Sequence, residues 1–128
     1  MARILVVEDN QANRKLLAGL LVRHGYEVLA VEDALHIADD VRSFRPDLIL
    51  MDLKLPGRDG YEAIEIIRAD PAGGEVSIFV TSAFALAADI DRARALGVDD
   101  YFSKPLDIPR FLQRVDAVLS DRGAASNA

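Results

Sequence analysis

The sequence predicts an α/β fold: a doubly wound, parallel five-stranded sheet in the order 2-1-3-4-5, with helices on both faces. Three observations predict it. Short apolar runs rich in β-branched residues alternate with amphipathic stretches five times along the chain. The runs are mostly continuous rather than alternating in polarity, as strands covered on both faces must be. A length of 128 residues suits one domain and leaves no room for a second.

Ile4 to Val7 reads as the first strand, and Asp9 or Asn10 can cap the helix that follows. Leu16, Leu17, Leu20 and Leu21 line one face of that helix as core, and Gly25 stops it. Tyr26 to Val31 is the second strand. Ala34, Ile37, Ala38, Val41 and Phe44 repeat at helical spacing up to Pro46. Leu48 to Met51 is the third strand and runs into Asp52. Leu53 to Gly60, with Pro56, Gly57 and Gly60, is a loop. Ile64 and Ile67 anchor a third helix, broken at 70–74. Val76 to Thr81 is the fourth strand. Leu86, Ile90 and Ala93 form a lean stripe on a fourth helix that closes at Gly97. Tyr101-Phe102 is the core of a short fifth strand, and Ile108, Phe111, Leu112, Val115, Val118 and Leu119 belong to a last helix. Residues 1–120 are thus one unit, and 121–128 read as a short polar tail. Five β–α units in series require parallel strands with crossover helices. The flavodoxin-like (βα)5 order places ligands at the carboxyl ends of the strands, by the switch point between strands 1 and 3.

Composition removes several function classes. The chain has no cysteine, so disulfides and thiolate metal sites are excluded. His24 and His36 are isolated, read as surface or capping residues, and make no zinc site. The longest apolar stretches, about six residues, fall far short of the ~20 that cross a bilayer. Acids follow the first apolar run where a signal cleavage site would lie, so the expectation is a cytoplasmic protein. The net charge of −6 sets this domain against phosphate backbones, and direct DNA binding is not expected.

Polar residues follow the apolar runs where that fold collects function: Glu8-Asp9 after strand 1, Asp52 after strand 3, Thr81-Ser82 after strand 4, and Lys104-Pro105 after strand 5. Two carboxylates about 4 Å apart repel by roughly 4 kcal/mol at an effective dielectric near 20. Three of them need more cation than Lys104 alone supplies. An all-oxygen site with room for water suits Mg²⁺, with Mn²⁺ as an alternative. Asp52 is then a carboxylate nucleophile able to form an aspartyl phosphate. Phosphoryl transfer needs in-line positioning and neutralised equatorial oxygens, which Mg²⁺, Lys104 and the Ser82 hydroxyl would divide among them.

Val7-Glu8-Asp9-Asn10, Met51-Asp52, Ser82-Ala83 and Lys104-Pro105 together resemble the response-regulator receiver family of two-component signalling, over about residues 3 to 120. The intervals of 30 residues from Asp52 to Ser82 and 52 to Lys104 match the family's spacing. The resemblance implies that Asp52 is the phosphoacceptor and that Asp9, Asp52 and the backbone carbonyl of Lys54 bind the metal. It implies that Glu8 holds a metal-bound water, Ser82 is the switch hydroxyl, Lys104 the phosphate partner and Tyr101 the switch aromatic. A cis Lys104-Pro105 bond is implied too. Thr81 adjoins Ser82, but Ser82-Ala83 fits the family's hydroxyl-then-alanine pattern better.

The implied partners are a histidine kinase or histidine phosphotransfer protein, packing on Asn13, Leu17 and Pro105 to Ile108. A downstream kinase or other target would dock on the helix 4–strand 5–helix 5 face. The start at Met1 and the short tail favour a free-standing, monomeric single-domain receiver; a receiver from a hybrid kinase is the alternative. Retention of Glu8, Asp9, Asp52, Ser82 and Lys104 argues against a pseudo-receiver. A haloacid-dehalogenase-like phosphatase, which also uses an aspartate nucleophile, would need an acid where Lys54 stands. Lys54 and Phe84, two residues beyond Asp52 and Ser82, are expected to shield a phosphoryl group from water.

Overall fold

The computed structural model describes residues 1–55, 57–83 and 87–127, with side chains through residue 120. The elements are β1 (Arg3–Val7), α1 (Gln11–Arg23), β2 (Glu27–Val31), α2 (Ile37–Phe44), β3 (Leu48–Asp52), α3 (Gly60–Ala69), β4 (Ser77–Ser82), α4 (Ala87–Ala95), β5 (Asp100–Ser103) and α5 (Ile108–Asn127). The strands pair in parallel in the order β2-β1-β3-β4-β5, as the sequence predicts.

Side chains along a strand alternate between faces, and here the alternation sorts two cores. Ile4, Val6, Leu48, Leu50, Phe79 and Phe102 pack with Leu17, Leu21, Phe111, Val115 and Leu119 from α1 and α5. Leu5, Val7, Ile49, Met51, Ile78 and Val80 pack with α2, α3 and Ala93 of α4. Full burial of each large apolar side chain contributes about 1.5–3 kcal/mol, and both faces of the three central strands are closed in this way.

Local chemistry sets the element ends. The Asn10 side chain accepts a hydrogen bond from the Asn13 amide at 2.9 Å and caps α1, and Asp59 does the same for α3 through Glu62. Gly25 leaves α1 with φ of 96°, a conformation that other residues adopt only under strain. His24 and His36 are the C-cap of α1 and the N-cap of α2, both exposed.

Four details differ from expectation. Leu16 is 56% exposed, so only Leu17 and Leu21 of the predicted α1 stripe are fully buried. Leu16 faces a groove towards Pro105, Leu106 and Ile108 beyond the strand ends, where the sheet cannot cover it. Ala34 is buried but precedes α2, because a turn held by the Ile37 amide on the Ala34 carbonyl comes first. Arg45, in the left-handed conformation, ends α2 one residue before Pro46. The helix α5 continues to Asn127 over the segment read as a tail. The predicted Phe84 and Leu86 lie outside the described residues.

Candidate phosphoacceptor site

The register explains how residues distant in sequence meet. Glu8 continues the Ile4–Val6 face of β1 and Asp52 the Leu48–Leu50 face of β3, so both carboxylates project toward the α1–α5 side. Lys104, just beyond β5, reaches between them. Its Nζ lies 2.8 Å from Glu8 Oε1 and 2.8 Å from Asp52 Oδ2. Glu8 and Asp52 are only 2% and 3% exposed. Buried charges of this kind persist when paired and hydrogen-bonded.

The remaining carboxylate oxygens are engaged by backbone. The Lys54 amide donates to Asp52 Oδ1 at 3.0 Å, and the Asn10 amide approaches Glu8 Oε2 at 3.4 Å. Gly60 makes this loop feasible. A Cβ there would lie 2.6 Å from the Asp52 carbonyl oxygen and 2.6 Å from the Leu53 Cα, so no larger residue fits. Asp9 is exposed, yet ligand atoms of Glu8, Asp9 and Asp52 all lie within 4.8 Å of one another.

Burial pushes the Glu8 carboxyl above its ordinary range, and its contact with Asp52 adds to the rise despite the opposing effect of Lys104. For Lys104, burial acts to lower the pKa, but the hydrogen bonds and charges of Asp52 and Glu8 outweigh it and hold the ammonium above its usual value. Three carboxylates facing one ammonium leave an excess of negative charge. The donor set is entirely oxygen, with one member open to solvent, and fits a hard divalent cation that retains water.

Ser82 and Tyr101 occupy the opposite face of the sheet. Ser82 follows Ile78 and Val80 and is buried, while Tyr101 pairs with Val80 and packs half-buried against the α2–α3–α4 core. Ser82 lines a cavity of about 310 Å³ with Lys54, Tyr61, Asp89 and Arg92. Tyr101 lines a separate groove with Ile90, Ala93 and Arg110. The Lys104 amide donates to the Ser82 carbonyl at 2.8 Å, linking the two sides. The Lys104-Pro105 bond is cis.

Two sets of contacts were not anticipated. Arg14 reaches back from α1 to the Glu8 and Asp9 carbonyls at 3.0 and 3.3 Å. Tyr61 donates to Asp89 Oδ1 at 3.0 Å beneath the Arg92 guanidinium, 3.9 Å from the ring centroid. The spacing of six residues from Glu8 to Arg14 was a signal for the first, because one helical turn past a cap brings a side chain back over the loop. The second pairing joins two helices and has no local signal.

The response regulator receiver domain family model matches residues 4–116. The polar-differentiation response regulator DivK of Brucella anthropi is 36% identical over 118 residues, covering 92% of this chain and 96% of the relative. Among solved structures, the receiver domain of a sensor histidine kinase from Pseudomonas aeruginosa PAO1 is 34% identical with a TM-score of 0.84, covering 93% of this chain and 98% of the other. That structure has a magnesium ion coordinated in its active-site cleft. The chemotaxis protein CheY4 of Vibrio cholerae, at 23% identity, shares the fold with a TM-score of 0.86, covering 92% and 98%. With a family match across most of its length and a relative of this identity spanning nearly all of both sequences, the chain belongs to the response regulator receiver domain family.

Proposed function

We propose that Asp52 accepts a phosphoryl group from a histidine kinase or histidine phosphotransfer protein and that the resulting change is read by another protein. The observation that carries this reading is the Lys104 ammonium held at 2.8 Å from both Asp52 and Glu8 within a three-carboxylate cluster. An Asp52 oxygen attacks phosphorus in line, the phosphorus–nitrogen bond of the donor phosphohistidine breaks, and its electron pair stays on the imidazole, which takes up a proton. Asp9, Asp52 and the Lys54 carbonyl would hold Mg²⁺, or Mn²⁺, with Glu8 behind a bound water. When bound, the cation supplies charge neutralisation for the transferring oxygens. Lys104 neutralises a second oxygen and the Ser82 hydroxyl donates to a third. Ser82 moves towards the phosphoryl group in doing so, and Tyr101 occupies the space it leaves.

The donor domain would seat on the groove of about 450 Å³ lined by Asn13, Leu16, Leu17, Pro105, Leu106 and Ile108, adjoining Glu8 and Lys104. The exposed Leu16 adds apolar surface that favours such an occupant. The α4–β5–α5 face would receive the target. The unit spanning residues 1–120 would work as a cytoplasmic monomer; among the described residues, no helix is long and apolar enough to cross a membrane. The 34% identity to a kinase-borne receiver keeps a hybrid-kinase origin as the second reading. A phosphatase of the haloacid-dehalogenase kind is disfavoured, because Lys54 offers an ammonium where that chemistry needs an acid.

The test is labelling by acetyl phosphate with and without Mg²⁺. Wild type should label only with the cation, and Asp52→Asn should not label. Equal labelling of the variant would overturn the assignment.

A further inference from the structure

We propose that Arg14 is a positioning residue for the metal-binding carboxylates, acting through the backbone of the β1–α1 loop. This rests on the reading of Asp9 and Asp52 as ligands of a divalent cation.

Within the acidic cluster, Glu8 and Asp52 are held by Lys104 and by backbone amides. Among the described residues, no hydrogen bond or ion pair holds the Asp9 carboxylate, which faces solvent. Its direction is therefore set by its backbone. Arg14 Nη1 donates to the Glu8 carbonyl at 3.0 Å and to the Asp9 carbonyl at 3.3 Å. The Arg14 amide also donates to the Asn10 carbonyl at 2.9 Å, so three successive loop residues are tied to one residue of α1. With those carbonyls turned to the guanidinium, the Glu8 and Asp9 side chains stand on the side of Asp52.

Charge alone would give Arg14 the opposite effect. A guanidinium beside the carboxylates repels a divalent cation. That repulsion is softened, because Arg14 also borders a shallow groove lined by Glu32, Asp33 and Asp40. Orientation is a first-order requirement for a site with few protein ligands, and groups that orient metal ligands typically contribute about 10–100-fold to metal affinity. Positioning outweighs repulsion on this comparison, and the two effects predict opposite signs.

The experiment is calorimetric titration of wild type, Arg14→Ala and Arg14→Lys with Mg²⁺ alone, with acetyl phosphate labelling measured across Mg²⁺ concentrations. Positioning predicts that wild type binds most tightly, Arg14→Lys less so, and Arg14→Ala weaker by about 10-fold. Labelling of both variants should return close to the wild-type rate at saturating Mg²⁺, a concentration dependence that general loosening of the fold would not restore. Tighter binding by Arg14→Ala, or equal binding by all three, overturns the proposal. Should Arg14→Ala fail to fold, Arg14→Lys decides the matter: it keeps the charge but loses the guanidinium, so affinity equal to wild type overturns the proposal. Failure of wild type to bind Mg²⁺ at all would instead overturn the underlying reading of the site.

Discussion

Lys104 stands between two buried carboxylates, and its removal tests what that arrangement supplies. Lys104→Met keeps much of the apolar stem but leaves Glu8 and Asp52 facing each other without a cation. Loss of one preorganised electrostatic contact to the transferring group costs about 100-fold or more in rate. Labelling of Lys104→Met by acetyl phosphate at saturating Mg²⁺ should therefore fall by about that factor. A rate within a few-fold of wild type would show that Lys104 serves only to balance charge in the resting protein. At this scale the sequence was most legible, because the polar residues of the cluster lie just beyond apolar runs and parallel strands bring their carboxyl ends to one edge. What could not be read was the contribution of backbone: the Lys54 amide on Asp52 depends on loop path, which residue type does not encode.

Among the helices, α4 is the least embedded, with Ala93 as its only fully buried described residue. Its first turn is tied to α3 by Tyr61, whose hydroxyl bonds Asp89 while Arg92 covers the ring. Burial, reinforced by the hydrogen bond to Asp89, pushes the Tyr61 phenol up to about 12, so the bond persists through the physiological range. Its other end is held by Arg68 of α3, which donates to the Leu96 and Gly97 carbonyls at 3.3 and 2.7 Å. Tyr61→Phe removes one hydrogen bond and keeps the ring. It should cost about 1 kcal/mol and speed amide exchange selectively in α4, measured by hydrogen–deuterium exchange. Unchanged exchange there would mean that the helix is secured by other contacts. The weak stripe of α4 was legible from Ile90 and Ala93, but the tyrosine anchor was not. Four-leucine periodicity likewise overstated α1, because a helical stripe says which side chains share a face and not how far the sheet extends beneath them.

For the molecule as a whole, acid stability has an identifiable contributor away from the Asp52 cluster. Asp70, at the end of α3, accepts from the Ala72 amide at 2.9 Å and pairs with Arg42 of α2 at 2.6 Å. These contacts hold its carboxyl below the usual range, the backbone amide being the larger cause. A depressed folded-state pKa means that the stabilisation is complete above the unfolded value near 3.9 and is lost as pH falls through the lower folded one. Asp70→Asn should thus unfold at lower urea concentration than wild type at pH 7, and the difference should shrink on acidification. A difference that stays constant down to pH 3 would contradict the assignment. The sheet order, by contrast, was readable in full: five apolar runs, each leading into a helical pattern, admit few parallel arrangements with right-handed crossovers.

The alternation of side chains across β3 and β4 has a consequence for how traffic through such a protein is organised. Glu8 and Asp52 stand with α1 and α5, whereas Ser82 and Tyr101 stand with α3 and α4. The two pairs thus stand on different sides of one partition, bridged at its rim by the Lys104–Ser82 backbone bond. On the reading proposed above, a donor seated over α1 would leave the α4 side uncovered, so an incoming messenger and one docking at α4 would not queue for the same door.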